Sequence, residues 1–247
     1  KVLLVIKIVF WIPWGTHGQS SAQLFSDRYL SIGFGGFNGK VYDNYLSNLN
    51  YSGLGSLANI DFGDLGSNRV TTISLQQLSA KLKQNNADVA VEMNQINLTI
   101  LMSKRIVVKS IPNLHWHIGG FGKSELFRRS LDTERPFRTA IFSNSIGLHT
   151  GLDYSLSKNQ CLVFGLQFPI QTFFMEGGTP YSEKGFLGLN KFNDTQFDVQ
   201  YQLNLNQRFW FQLQYRLQWY KAIGIWSEVR ARTHQLQFGL KMRIGHV

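Results

Sequence analysis

Two stretches near the end of the chain confine it to a narrow set of folds. In 208–219 (RFWFQLQYRLQW) the odd positions Phe209, Phe211, Leu213, Tyr215, Leu217 and Trp219 are all apolar or aromatic, while Gln212, Gln214, Arg216 and Gln218 fill the even ones. In 235–244, Leu236, Phe238, Leu240, Met242 and Ile244 alternate with Gln235, Gln237, Gly239, Lys241 and Arg243. Such alternation marks a β-strand whose two faces meet different surroundings. Runs of about ten residues match a strand tilted across a bilayer.

The same pattern recurs upstream. Strands are expected near 28–37, 51–63, 69–83, 88–103, 113–122, 145–156, 161–172 and 195–205, ahead of the two above. Within 69–83 the segment Val70 to Leu75 slips phase, which suggests a bulge. The segments Asn38–Asn50, Lys123–Ser143 and the stretch around Gly177 to Gly188 read as long loops. Long and short connections then alternate, except between the third and fourth strands, as in barrels with short turns at one end. Charged residues make up 16% of the chain, aromatics 14%, with 23 glycines and 5 prolines; soluble domains average roughly 25% charged. The expected fold is all-β, an antiparallel up-and-down transmembrane β-barrel of about ten strands, within a range of about 8–12. It occupies 23–247 as one domain.

Residues 1–22 read as a signal peptide. Lys1 and Lys7 accompany an apolar run from Val2 to Trp14, and Ser20 and Ala22 fit a cleavage site before Gln23. The single Cys161 excludes an intrachain disulfide and reads as a small apolar filler. The net charge of +10 suits anionic lipid headgroups in an exported membrane protein, and no nucleic acid is expected.

The chemistry of the faces separates a membrane barrel from a soluble one. A soluble barrel turns its apolar row inward and a Lys- and Glu-rich row outward. Here the polar rows are mostly amide and the apolar rows lack mid-strand charge, which on a lipid face would cost about 2–4 kcal/mol. Gln167, Gln200, Gln212, Gln214, Arg216, Gln218, Gln235, Gln237, Lys241 and Arg243 are therefore expected to line the lumen. Trp116, Phe209, Tyr215 and Trp219 suit interfacial girdles.

These features, with LVFGLQFPI (162–170), YSLSKNQ (154–160) and QLQFGLKMRI (235–244), resemble the small outer-membrane β-barrel proteins of Gram-negative bacteria, with a Bacteroidota flavour. The resemblance implies a monomeric barrel in the cell outer membrane among lipids that include lipopolysaccharide. It also implies a structural, binding or narrow-channel role. Barrels of this size include proteases, phospholipases and lipid A deacylases, so an enzyme acting on envelope lipid or peptide is the alternative. An accessory subunit of an envelope complex, docking through its long loops, is a third reading.

Histidines carry the only chemistry that stands out. His115 and His117 share one strand face, and His149 and Asp153 share the polar face of the next strand. His117, His149 and Asp153 are candidates for acid–base catalysis; His115, His117 and His149 are candidates for a metal site. The alternative is a luminal hydrogen-bond network. No cofactor is expected. Arg128, Arg129, Arg135 and Arg138 fall in the charged loop and are expected to contact lipid phosphates. Gly33-Phe34-Gly35-Gly36 and Gly119-Gly120-Phe121-Gly122 lack a following helix and do not read as phosphate loops.

Overall fold

The computed structural model describes residues 27–245, apart from 45–46, 67, 85–86, 109, 112, 133–137, 178–182, 189, 207 and 225–226. The expected leader, 1–22, lies outside the described residues. Strands run Asp27–Asp43 (β1), Ser47–Leu65 (β2), Arg69–Gln84 (β3), Ala87–Val107 (β4), Leu114–Asp132 (β5), Arg138–Ser157 (β6), Gln160–Gly177 (β7), Glu183–Gly188 (β8), Phe192–Asn204 (β9), Phe209–Ile223 (β10) and Glu228–Gly245 (β11). Each pairs antiparallel with its neighbours, and β1 closes on β11 from Arg28↔Gly245 to Asp43↔Val229. Ten strands form the closed barrel. The short β8 covers the last part of β7, Gln171 to Glu176, where β9 has ended; β9 pairs Gln160 to Gln167.

The strands are longer than a bilayer needs. They range from 13 residues in β9 to 21 in β4, with the 6-residue β8 apart, against about ten for a span. The extra length changes solvent partway along each strand. On β4 the inward side chains pass from Val91 and Met93 to Gln95 and Asn97, while the outward ones pass from Glu92 and Asn94 to Ile96, Ile100 and Met102. On β1, Ser31 and then Phe37 and Val41 face in, whereas Ile32 and Phe34 and then Asn38 and Lys40 face out. Near the chain termini the barrel is apolar outside and polar inside, as lipid demands. Towards the far end it is built like a soluble barrel, apolar inside and polar outside.

The apolar belt runs around the outside through Ile32, Ile60, Ile96, Ile118, Ile146, Leu166, Phe168, Phe238 and Leu240, all exposed. Water would not tolerate a patch of that extent on a monomer, and hydrocarbon favours it. Pairing of β1 with β11 closes the sheet, so it has no open first or last strand within the belt; on β7 the ladder to β9 ends at Gln167 and that to β8 begins at Gln171.

This inversion corrects three expectations. Asn38–Asn50 and Lys123–Ser143 are not long loops: β1 and β2 are interrupted only at 44–46, and β5 and β6 at 133–137. The connections therefore do not alternate between long and short as expected. Nor is there a bulge in Val70–Leu75, where the register with β2 and β4 is unbroken. The pattern there only looked slipped, because the apolar Val70 lines the cavity with Thr72 and Ser74 while the polar Thr71 shares the outward row of Ile73 and Leu75; beyond Gln76 the inward positions turn apolar (Leu78, Leu82) and the outward ones polar (Lys81, Lys83).

Candidate functional site

Parity along β5 sets the contents of the lumen. His117, Phe121, Lys123, Glu125, Phe127 and Arg129 all point inward and are buried. At the far end sits an apolar cluster of Phe37, Val41, Tyr51, Leu78, Leu82, Met93, Phe127, Ile141, Phe174, Phe192 and Tyr220 with their neighbours. Tyr220 takes edge-on contacts from Phe127 at 5.6 Å and Phe192 at 5.5 Å.

Two buried ionic groups brace this plug. Arg129 donates to Asp43 through Nη1 and to Glu176 Oε1 through Nη2 at 3.0 Å, and Ser227 Oγ donates to Glu176. Lys123 Nζ pairs with Asp194 and with Glu125 Oε2 at 2.8 Å. Gln95 Nε2 donates to Glu125 at 3.0 Å and Gln218 Nε2 to Asp194 at 2.7 Å. Glu176, Glu125 and Asp194 thus each have a cation and a neutral donor, the condition under which buried charge is tolerated. An amide ladder comes next, in which Gln235 donates to Gln218 at 3.3 Å and Gln76 donates to Gln235 at 3.1 Å.

Below the ladder, towards the termini, lies a polar cavity of about 340 Å³. Its wall holds Asp61, Asp153 and Asp198, the cations Arg216 and Lys241, and His117, His149 and Ser103. Asp61 accepts from Asn59 at 2.8 Å and from Ser74 at 2.5 Å. The ammonium of Lys241 lies 3.9 Å from the ring centre of Tyr29, whose hydroxyl shares a hydrogen bond with Thr72 at 3.0 Å. Arg216 Nε stands 4.0 Å from Asp198 Oδ1.

His117 Nε2 and Asp153 Oδ2 are 2.6 Å apart. The imidazole is buried and the carboxylate remains partly open to the cavity. His149 lines the same cavity, but its Nδ1 has no hydrogen-bond partner among the described residues, and neither do His115 Nδ1, His117 Nδ1 and Ser103 Oγ. Among the described residues no three His, Cys, Asp or Glu side chains, the candidates His115, His117 and His149 included, group as a metal site would require. His115 stands opposite Asp153, and His149 stands opposite Gly119, a different level of the wall. Cys161 lies half-buried at the cavity.

The expected lumen residues divide by level. Gln167, Gln200, Gln212, Gln214, Arg216 and Lys241 line the cavity, Gln218 and Gln235 belong to the ladder, and Gln237 is buried against Asn59. Arg243 stacks over Trp210 at 5.2 Å near the terminal rim. The expected lipid contacts divide more sharply. Arg128 and Arg138 are exposed on strands, Arg135 lies outside the described residues, and Arg129 is no lipid contact at all. Its parity turns it inward, where the two carboxylates hold it. Sequence reasoning missed Lys123, Glu125 and Asp194. Their i, i+2 phase with His117, in Lys123 and Glu125, was the available signal.

No family model matches the chain, and no curated protein matches it in sequence. Solved structures do. The outer membrane protease OmpT from Escherichia coli aligns with TM-score 0.65 at 6% identity over 92% of this chain and 100% of that one. The translocator domain of autotransporter NalP from Neisseria meningitidis aligns with TM-score 0.49 at 11% identity, covering 98% and 94%. Neisserial surface protein A aligns with TM-score 0.37 at 12% identity, covering 87% and 97%. The OmpT likeness shows the fold, a closed antiparallel ten-strand barrel of the outer-membrane kind, and the apolar belt is the surface such a barrel turns to lipid.

Proposed function

We propose that the protein is a non-conducting outer-membrane barrel whose terminal-end cavity binds a small polar ligand. The observation that carries this reading is the division of the lumen. An apolar cluster and two buried ionic groups occupy one half, and an open polar cavity occupies the other. A through-channel needs a continuous wet path, and sixteen buried apolar side chains stand in it. The cavity wall mixes three aspartates with an arginine, a lysine and a row of glutamines. Such a wall suits a zwitterionic or hydroxyl-rich molecule better than a simple ion. On the same reading the chain is exported through a leader at 1–22, belongs to a Bacteroidota-like envelope and works as a monomer among outer-membrane lipids.

Planar-bilayer recordings of purified protein test the closed lumen: no stable conductance steps are expected, and large reproducible steps would overturn it. Native mass spectrometry against a panel of amino acids and small saccharides tests the ligand. Binding is expected for wild type and is lost in Asp198→Asn with Arg216→Gln; a panel without any binder removes the ligand half.

A second reading, a hydrolase, has an observation of its own. Ser103 and His117 line one cavity, each with a buried polar atom lacking a partner, and His117 is held by Asp153. An activated nucleophile needs its hydroxyl within hydrogen-bond reach of the base; Ser103 Oγ makes no such bond here, so this reading requires the pair to close when substrate binds. A fluorophosphonate probe that labels wild type but not Ser103→Ala favours the hydrolase; an unlabelled wild type leaves the binding reading.

A further inference from the structure

On the outer face at the far end, β1, β11 and β10 carry their cations in register. Lys40 stands opposite Arg232, which stands opposite Trp219. One level further out, Tyr42 stands opposite Arg230, which stands opposite Lys221. Lys40, Arg230, Arg232 and Trp219 are exposed and Lys221 is half-buried. The guanidinium of Arg232 lies 5.9 Å from the Trp219 ring centre.

These side chains line a shallow groove of about 900 Å³ in which, among the described residues, Glu228 is the one acidic side chain. Glu228 is bound to Arg230 at 2.5 Å, so Lys40, Lys221 and Arg232 face the groove with no second carboxylate among its described lining residues. Like-charged neighbours in adjacent rows repel one another, which costs stability unless an anion is shared between them.

The groove begins where the apolar belt ends. Along the outward face of β11, Arg230 and Arg232 are followed by His234, bonded to the Tyr215 hydroxyl at 2.6 Å, and then by exposed Leu236, Phe238 and Leu240. One strand therefore presents cations, an aromatic–imidazole pair and hydrocarbon in sequence. This order matches the polarity profile of a lipid molecule standing beside it.

We infer that this groove binds the phosphorylated headgroup of a membrane lipid, with its acyl chains lying along Leu236, Phe238 and Leu240. Arg232 offers a planar fork to phosphate oxygens while its other face rests on Trp219, and Lys40 and Lys221 supply point charges on either side. A lipid is favoured over a free anion because the groove continues into the belt. The exposed arginines expected to do this from sequence, Arg128 and Arg138, share a smaller groove that also contains Glu92; they serve as the comparison.

The test uses the folded protein in phosphatidylcholine nanodiscs doped with either a bis-phosphorylated glucosamine lipid or its dephosphorylated form. Lipid retained after transfer to mild detergent is read by native mass spectrometry. Wild type is expected to retain the phosphorylated lipid selectively. Lys40→Gln/Lys221→Gln/Arg232→Gln is expected to lose retention on the order of a hundredfold, each cation near a membrane surface being worth about fivefold. Arg128→Gln/Arg138→Gln is expected to retain it. Arg232→Gln alone serves should the triple variant fail to fold, and is expected to lose about fivefold. Equal retention of the dephosphorylated lipid, equal loss in both cation variants, or displacement of the lipid by inorganic phosphate overturns the inference. The inference rests on the bilayer placement. A protein that stayed dissolved without detergent would remove that placement, whereas a detergent-requiring protein without phosphate preference would remove the inference alone.

Discussion

Arg129 of β5 and Asp43 of β1 are 86 residues apart in sequence and meet inside the barrel, both almost wholly buried. With Glu176 of β7 they fasten strands from opposite parts of the ring through one guanidinium. Truncating Arg129 to Ala strands two carboxylates in an apolar plug, and is expected to cost about 3–5 kcal/mol. Replacing all three (Arg129→Met, Asp43→Asn, Glu176→Gln) is expected to recover most of that loss, since no charge is then left unpaired. Urea unfolding in detergent micelles measures both.

Within the plug, two substitutions at touching rings should act in opposite directions. Phe127→Ala removes a fully buried ring and is expected to cost about 3–5 kcal/mol. The Tyr220 hydroxyl is buried without a hydrogen-bond partner among the described residues. Tyr220→Phe keeps the two edge-on contacts and removes that unsatisfied group, so it is expected to be neutral or to stabilise by about 1 kcal/mol. Paired unfolding midpoints decide the signs.

The change of solvent along β4 can be located by charge. Ile100→Arg places a cation within the belt and is expected to cost about 2–4 kcal/mol. Asn94→Arg, on the same outward face but beyond the belt, is expected to stay within about 0.5 kcal/mol of wild type. Equal penalties measured in lipid would show that the belt extends over both.

Close approach of backbones makes a third contrast. A Cβ at Gly119 would meet the Met102 carbonyl oxygen and lie 2.5 Å from the Ser103 Cα, whereas one at Gly122 would have no atom within 4 Å. Gly119→Ala is expected to cost about 1–3 kcal/mol through forced strand displacement, and Gly122→Ala to change stability by no more than about 0.5 kcal/mol. Heat-modifiability on gels and unfolding curves report the difference.

The barrel was legible in the sequence wherever a strand crosses lipid, because there the alternation pits hydrocarbon against amide, as in Leu236 to Ile244. It was illegible where the same strand leaves lipid. Lys123 to Asp132 carries charge on both faces, outward for water and inward for ion pairs, and periodicity alone cannot tell that from a loop. The lumen set was readable from parity, since Gln212, Gln218 and Gln235 follow directly from the phase of their strands. Arg129 shares the phase of Phe127, but its surrounding charges pointed to a loop, and only tertiary pairing with Asp43 and Glu176 assigns it. The His117–Asp153 contact was within reach of a strand-height estimate. The grouping of the metal candidates was not, because shared parity says nothing about whether three imidazoles reach one point.

The seam between β1 and β11 has a consequence for biogenesis. Arg28 pairs with Gly245 and Asp43 with Val229, so the first strand made must wait for the last before its second row of amides is satisfied. Until then the growing sheet has two raw edges, each unpaired amide costing several kcal/mol in hydrocarbon. Insertion therefore favours a chain delivered whole and zipped shut late, and a fragment lacking β11 belongs to the quality-control machinery rather than to the membrane.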